Sequence, residues 1–198
     1  MSYITAADLR QYIGAVSTSD DTQLGFAAGR AQQMIDTYCN RTFEAPADTT
    51  RYYNALDLRY GGDVDAFSNE LRLDVDLCQL TRVTNGNGEI IPNQYLVQLP
   101  TNFTPKYSIK IMMNTSYVWT YTGTPDMAIS VLGRFAYSIT APADIVAACL
   151  ALGKYIYKAR TSTIETDRAV LSSDGIILPG KNIPDAITAQ IEPYRRIS

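Results

Sequence analysis

Along the first forty residues the apolar positions fall three and four apart, the spacing of one helix face. Thr5 precedes Ala6-Ala7-Asp8, a Thr-x-x-Asp form of the capping box in which side-chain oxygens take up the free N–H groups of a helix start. Such a cap is worth about 1 kcal/mol, enough to fix where a short helix begins. Leu9, Tyr12 and Ile13 then share a face, and Ser17 to Asp21 is a polar break. A second helix is predicted from Asp21 to Arg41, with Leu24, Ala27, Ala28, Ala31, Ile35, Tyr38 and Cys39 as its buried stripe. Gly25, Ala28, Gly29 and Gln32 keep the neighbouring face small. That permits close helix approach, although each Gly costs about 1 kcal/mol of helix propensity.

From Ala45 to Thr140 the period changes to two. Leu71 and Leu73 alternate with polar residues, as do Tyr95, Val97 and Leu99, then Ile109, Ile111 and Met113, then Met127, Ile129 and Val131. Asn85-Gly86-Asn87-Gly88, set between Val83 and Ile90, predicts a hairpin because Asn and Gly accept positive φ. Pro92, Pro100, Pro105 and Pro125 punctuate the other joins. These runs predict an antiparallel sheet, closed as a small sandwich or barrel.

The helical period returns at Ala141. Pro142 suits a first helical position and Asp144 the positive end of the helix dipole, while Lys154, Lys158 and Arg160 crowd the other end. Ile145, Cys149, Leu152 and Ile156 form one stripe; Val146, Leu150 and Tyr157 form a second on a different face. Each large apolar side chain fully buried contributes about 1.5–3 kcal/mol, so two stripes predict two neighbours. Thr161 to Gly180 carries no period, and unpatterned runs of that length are uncommon inside a domain. A short helix is predicted over 184–192, opened by Pro184 and stopped by Pro193. The fold class is therefore α+β: a small helical bundle from 1–44 and 141–160, an inserted β domain over 45–140, and an extended C-terminal arm over 161–198.

Composition narrows the chemistry. The chain has 198 residues, 46% hydrophobic and 19% charged, with a formal charge of −3, which marks a globular protein without the clustered Lys and Arg of a DNA binder. No apolar run reaches membrane-spanning length, and no signal peptide is visible at the start. There is no histidine, which removes the His-based catalytic triad and, with three scattered cysteines, nearly removes zinc. Cys39, Cys78 and Cys149 read as buried free thiols of a reducing cytoplasm.

Three passages then carry a resemblance. The second helix closes on Ile35-Asp36-Thr37-Tyr38-Cys39-Asn40-Arg41-Thr42-Phe43, after a start at Tyr3-Ile4-Thr5. Val131-Leu132-Gly133-Arg134-Phe135-Ala136-Tyr137 leads into Pro142-Ala143-Asp144-Ile145 and the Ala-rich helix. Ile183-Pro184-Asp185-Ala186-Ile187 runs on to Pro193-Tyr194-Arg195-Arg196. Their order resembles the head–tail connector, or adaptor, proteins of tailed bacteriophages, in an enlarged variant with a β insertion; Phe135 stands where members often carry Trp.

The resemblance implies a structural, non-enzymatic virion protein with no cofactor, assembled in the bacterial host cytoplasm. It implies a ring of identical subunits, twelve the expected number, beneath the portal protein at the head–tail interface. A tail, stopper or nozzle protein lies below, and double-stranded DNA passes through without specific binding. The arm would engage the portal, with Arg168, Ile176, Ile177, Leu178, Tyr194, Arg195 and Arg196 as contact residues. Val146, Leu150 and Tyr157 would serve ring self-association. The acidic balance suits DNA that must slide without sticking.

Other readings compete. Asp63-x-Asp65 and Asp74-x-Asp76 are close carboxylate pairs that lack the glycine and terminal glutamate of a calcium loop. A cell-wall hydrolase would need two acids facing across a cleft, Asp74 or Asp76 with Glu70 or Glu89. Solvated turn residues are the plainer reading. Fourteen tyrosines admit a sugar-binding module, although strand propensity and interface packing account for them as well. Gly61-Gly62-Asp63 lacks the strand-to-helix setting of a phosphate loop and reads as a turn.

Overall fold

Helix α1 (Ala6–Ile13) begins with Thr5 and Asp8 closing a full capping box, and ends on Gly14 at φ 79, whose N–H reaches the carbonyls of Arg10 and Gln11. The computed structural model describes residues 2–14, 17–161, 169–171, 177–179 and 183–196. The chain divides into two units, Met1–Arg41 with Ala141–Ser198, and Thr42–Thr140.

In the helical unit, α2 (Asp21–Cys39) stops at Asn40, which takes the left-handed conformation at φ 51. The expected end at Arg41 is two residues late, because Asn tolerates that turn and closes the helix there. Arg10 ties the two helices through a 2.7 Å ion pair with Asp21. The Ala-rich α3 (Ala143–Thr161) follows Pro142, whose carbonyl accepts the Val146 N–H at 3.0 Å. Helix α4 (Asp185–Ile191) continues into a 3-10 turn over Glu192–Tyr194.

Helix α3 packs against α1, α2 and α4. Of its first stripe Ile145, Cys149 and Leu152 are buried and Ile156 is half-buried; Ala148 is buried beside them, as are Leu24, Ala27, Ala28, Ala31 and Ile35 of α2. The Cys149 thiol points at the Ala28 carbonyl, 4.0 Å away. Gly153 is a notch for α1: a Cβ there would stand 3.1 Å from a methyl of Leu9. The second face of α3 therefore gains a neighbour from within the chain.

In the β unit eight strands form two antiparallel sheets. They are β1 (Thr49–Tyr53), β2 (Val64–Asp65), β3 (Glu70–Leu77), β4 (Gln79–Thr84), β5 (Ile90–Ile91), β6 (Leu96–Leu99), β7 (Lys106–Ile111) and β8 (Ile129–Arg134). One sheet has the order β1-β8-β4-β5 and the other β2-β3-β7-β6. Both supply one hydrophobic cluster, with Leu71, Leu77, Val83, Ile109, Ile111, Ile129 and Val131 fully buried. The sheets are open, so the arrangement is a sandwich and the barrel alternative does not hold.

The β4–β5 hairpin forms at the Asn-Gly repeat. Asn85 is buried there, its amide donating to the Val118 carbonyl at 2.8 Å while Oδ1 accepts from the N–H groups of Gly86 and Thr120. Two alternating runs end short of expectation. Met113 lies beyond β7, 72% exposed, and Met127 precedes β8 at φ 54, with its N–H on Asn54 Oδ1. Inside the stretch expected to lack a period, β9 (Ala169–Leu171) pairs antiparallel with β10 (Ile177–Pro179). Three-residue strands are too short to show alternation in a sequence.

Candidate functional site

The C-terminal residues fold back onto the helical unit. Pro184 precedes α4, and Ile187 and Ile191 are buried. The Cys39 thiol faces the Ile191 carbonyl at 3.7 Å, and the Arg196 N–H donates to the Cys39 carbonyl at 2.9 Å. Tyr38 Oη donates to Glu192, whose carboxylate pushes the phenol's pKa upward. Arg195 stands 5.6 Å over the Tyr38 ring and 3.6 Å from Glu192. Tyr194 Oη donates to Asp144 Oδ2 at 3.0 Å, and Gln190 donates to the Asp144 carbonyl at 2.9 Å. The Tyr-Arg-Arg run thus fastens the chain end to the end of α2 and the start of α3.

Of the other residues expected to meet the portal, Ile177 and Leu178 lie in β10, and Arg168 and Ile176 lie outside the described residues. Val146, Leu150 and Tyr157, expected on the ring interface, are half-buried. Tyr157 Oη donates to Asp20 at 2.7 Å, so that residue is engaged within its own chain.

A second polar cluster holds the N-terminal segment. Tyr3 is buried; its Oη donates to Asp36 Oδ1 at 2.6 Å and its N–H to Gln32 Oε1 at 3.1 Å. Burial raises the Asp36 pKa to about 6 against the opposing pull of side-chain hydrogen bonds to its carboxylate from Tyr3 and from Gln32. Burial also lifts the thiols of Cys39 to about 11 and Cys149 to about 12. Cys78 is half-buried, and desolvation raises its thiol as well.

The acids of the hydrolase reading are spread apart in role and place. Asp74 accepts from Arg51 at 2.8 Å and Tyr53 at 2.9 Å. Asp76 is buried at 2% exposure, where the register of β3 against β7 shifts between Arg72 and Leu77. Glu70 lies opposite Lys110 in that sheet, whereas Glu89 sits in the β4–β5 hairpin of the other. Asp63 and Asp65 hold turns, accepting the N–H groups of Asn54 and of Phe67 and Ser68.

Two surfaces escaped the sequence reading. On α2 a groove of about 400 Å³ is lined by Arg30, Gln33, Met34, Thr37, Tyr38 and Ile183. In the β unit Tyr60 and Phe67 project at 77% and 82% exposure. Exposure of a single aromatic in a turn leaves no periodic trace; only the run of small residues on α2 hinted at the first.

No protein-family model matches the sequence, and no curated protein matches it. Solved structures do. A chain in the neck of an empty gene transfer agent particle, computed with C6 symmetry, aligns with 99% of this chain and 91% of its own length, at 13% identity and a TM-score of 0.56. A chain from the virion of the native gene transfer agent particle aligns over the same shares at 14% identity and the same TM-score. The class defined is thus an α+β fold shared, over nearly its whole length, with chains of gene transfer agent particles. At such identity the likeness is one of fold.

Proposed function

We propose that this chain is a structural component of the neck of a phage-like particle. It forms a ring beneath the portal, joins head to tail, and leaves a channel through which double-stranded DNA passes. The observation that carries the reading is the length of the match: both units align with chains from such particles, leaving only 1% of this chain outside. The six-fold symmetry of that neck supports a ring, and twelve copies satisfy a six-fold axis. The charge of −3 suits a channel that must not hold its DNA.

In this reading the residues between α3 and α4, including Arg168 and Ile176 to Leu178, make the portal contact. Tyr194, Arg195 and Arg196 anchor that segment to the helical unit. Native mass spectrometry and negative-stain imaging of the purified chain, alone and with its portal, test it. A ring that binds the portal end-on is expected. Replacing 164–180 by a Gly-Ser linker of equal length should abolish portal binding while leaving the helical unit folded. Full portal binding by that variant would refute the arm assignment, and a chain that never forms rings would refute the connector itself.

A further inference from the structure

We infer that neighbouring copies join by seating the Tyr60–Phe67 tip of one β unit in the α2 groove of the next copy; this rests on the ring reading above. The tip is built to hold its aromatics outward. Asp65 Oδ1 accepts the N–H groups of Phe67 at 3.0 Å and Ser68 at 3.3 Å, and Asp57 Oδ2 accepts that of Ala66 at 3.2 Å. Asn69 turns the chain at φ 57. Gly62 allows the loop to close on Leu56, whose carbonyl oxygen would lie 2.0 Å from any Cβ placed there. The backbone is fixed, yet Tyr60 and Phe67 bury little in their own copy. Isolated exposed apolar residues are ordinary, but two aromatics on pinned, adjoining turns make an anchor of the kind that dominates interfaces.

Charge selects the occupant. Over 57–70 four acids, Asp57, Asp63, Asp65 and Glu70, face one base, Arg59, which is paired to Asp57 at 2.8 Å. An acidic rim disfavours DNA and anionic lipid, and favours an apolar surface that carries a cation. The α2 groove has that chemistry. Met34, Tyr38 and Ile183 supply apolar lining, and the Arg30 side chain makes no hydrogen bond or ion pair among the described residues. About 400 Å³ accommodates an aromatic side chain with room to spare. One turn earlier, Phe26 is 70% exposed, and a Cβ at Gly25 or Gly29 would meet no other atom within 4 Å. The glycines on this face therefore serve no contact inside the described chain. Because tip and groove are different surfaces, the contact is heterologous, repeats from copy to copy, and closes into a ring if the rotation allows.

Mixing two variants of the full chain tests this. Phe67→Ser removes the knob and leaves the groove; Arg30→Glu spoils the groove and leaves the knob. Each alone should lose self-association by at least about tenfold, the scale of an interface hot spot. An equimolar mixture retains one good pair of surfaces, so sedimentation velocity should show one-to-one dimers and no rings. Tyr60→Ser with Met34→Glu provides a second pair should either first variant fail to melt like wild type. Ring formation by a folded single variant, or a mixture that stays monomeric, would overturn the inference. Wild-type protein that stays monomeric at every concentration would instead overturn the ring reading.

Discussion

Asp36→Asn isolates one carboxylate whose burial works against the fold. Tyr3 Oη donates to it at 2.6 Å, and the Asn amide oxygen offers the same acceptor in the same shape. Burial is the dominant influence, raising the group from 3.8 to about 6. A raised carboxylate pKa means that the folded chain holds the proton more tightly than the unfolded chain. The associated stability is complete below the unfolded value, falls as pH rises through about 4 to about 6, and is absent above. At about 1.4 kcal/mol per pKa unit the upper bound is about 3 kcal/mol, and solvent screening of the exposed part brings the figure to the order of 1 kcal/mol. The Asn variant should therefore exceed wild type by about 1 kcal/mol at about pH 7.5 and equal it near pH 4, a gain of about 2–4 °C in Tm for a chain this long. Urea unfolding of both proteins across that range, followed by circular dichroism at the helical band, measures the difference. A gain that does not change with pH would refute ionisation of Asp36 as its source, and a variant less stable at neutral pH would show that the hydrogen bonds to the carboxylate outweigh desolvation.

Three further outcomes follow from the same contacts. Asn85→Ala removes three bonds around a buried hairpin and leaves the Val118 carbonyl and two N–H groups unsatisfied; a loss of about 3 kcal/mol is expected by urea unfolding, and a loss under about 1 kcal/mol would refute that accounting. Truncation after Asn182 removes the buried Ile187 and Ile191 and the bonds from Gln190, Tyr194 and Arg196; with about 1.5–3 kcal/mol per buried side chain, the helical unit should lose at least about 4 kcal/mol and become protease-sensitive at α3. Under native conditions maleimide should label Cys78 first, since Cys39 and Cys149 are buried with thiols raised to about 11 and about 12; mass spectrometry showing Cys149 labelled as fast as Cys78 would contradict the packing of α3 on α2.

What the sequence disclosed is what local chemistry decides. Thr5 and Asp8 mark a helix start because a four-residue cap needs no distant partner. The Asn-Gly repeat marks a hairpin for the same reason. Helix α3 shows the limit. Its second stripe asks for cover, and periodicity cannot say from where; Gly153, read only as part of an Ala-rich run, is the notch that admits Leu9. Asp74 and Asp76, two apart in an alternating strand, ought to share a face, yet the register shift leaves one exposed and the other buried. Neither pairing nor bulges are written in one strand alone. Met127 failed similarly, since a turn held by Asn54, more than seventy positions away, takes it out of the strand.

The fastening of Tyr194, Arg195 and Arg196 changes how an arm would work. A free tail has one fixed end and loses the most conformational entropy when a partner orders it, on the order of 1–2 kcal/mol per residue. Here the residues between Thr161 and Ile183 leave from the end of α3 and return to a segment held against α2 and α3. If that segment meets a partner as proposed, a chain fixed at both ends has less conformational entropy left to lose on binding than a tail fixed at one. The hydrogen bonds of Tyr194 and Arg196 would then act on portal affinity without touching the portal. Breaking them should weaken binding chiefly through a more unfavourable entropy, with the contact enthalpy little changed. Calorimetry on Tyr194→Phe distinguishes this from direct contact, in which loss of the hydroxyl would appear in the enthalpy.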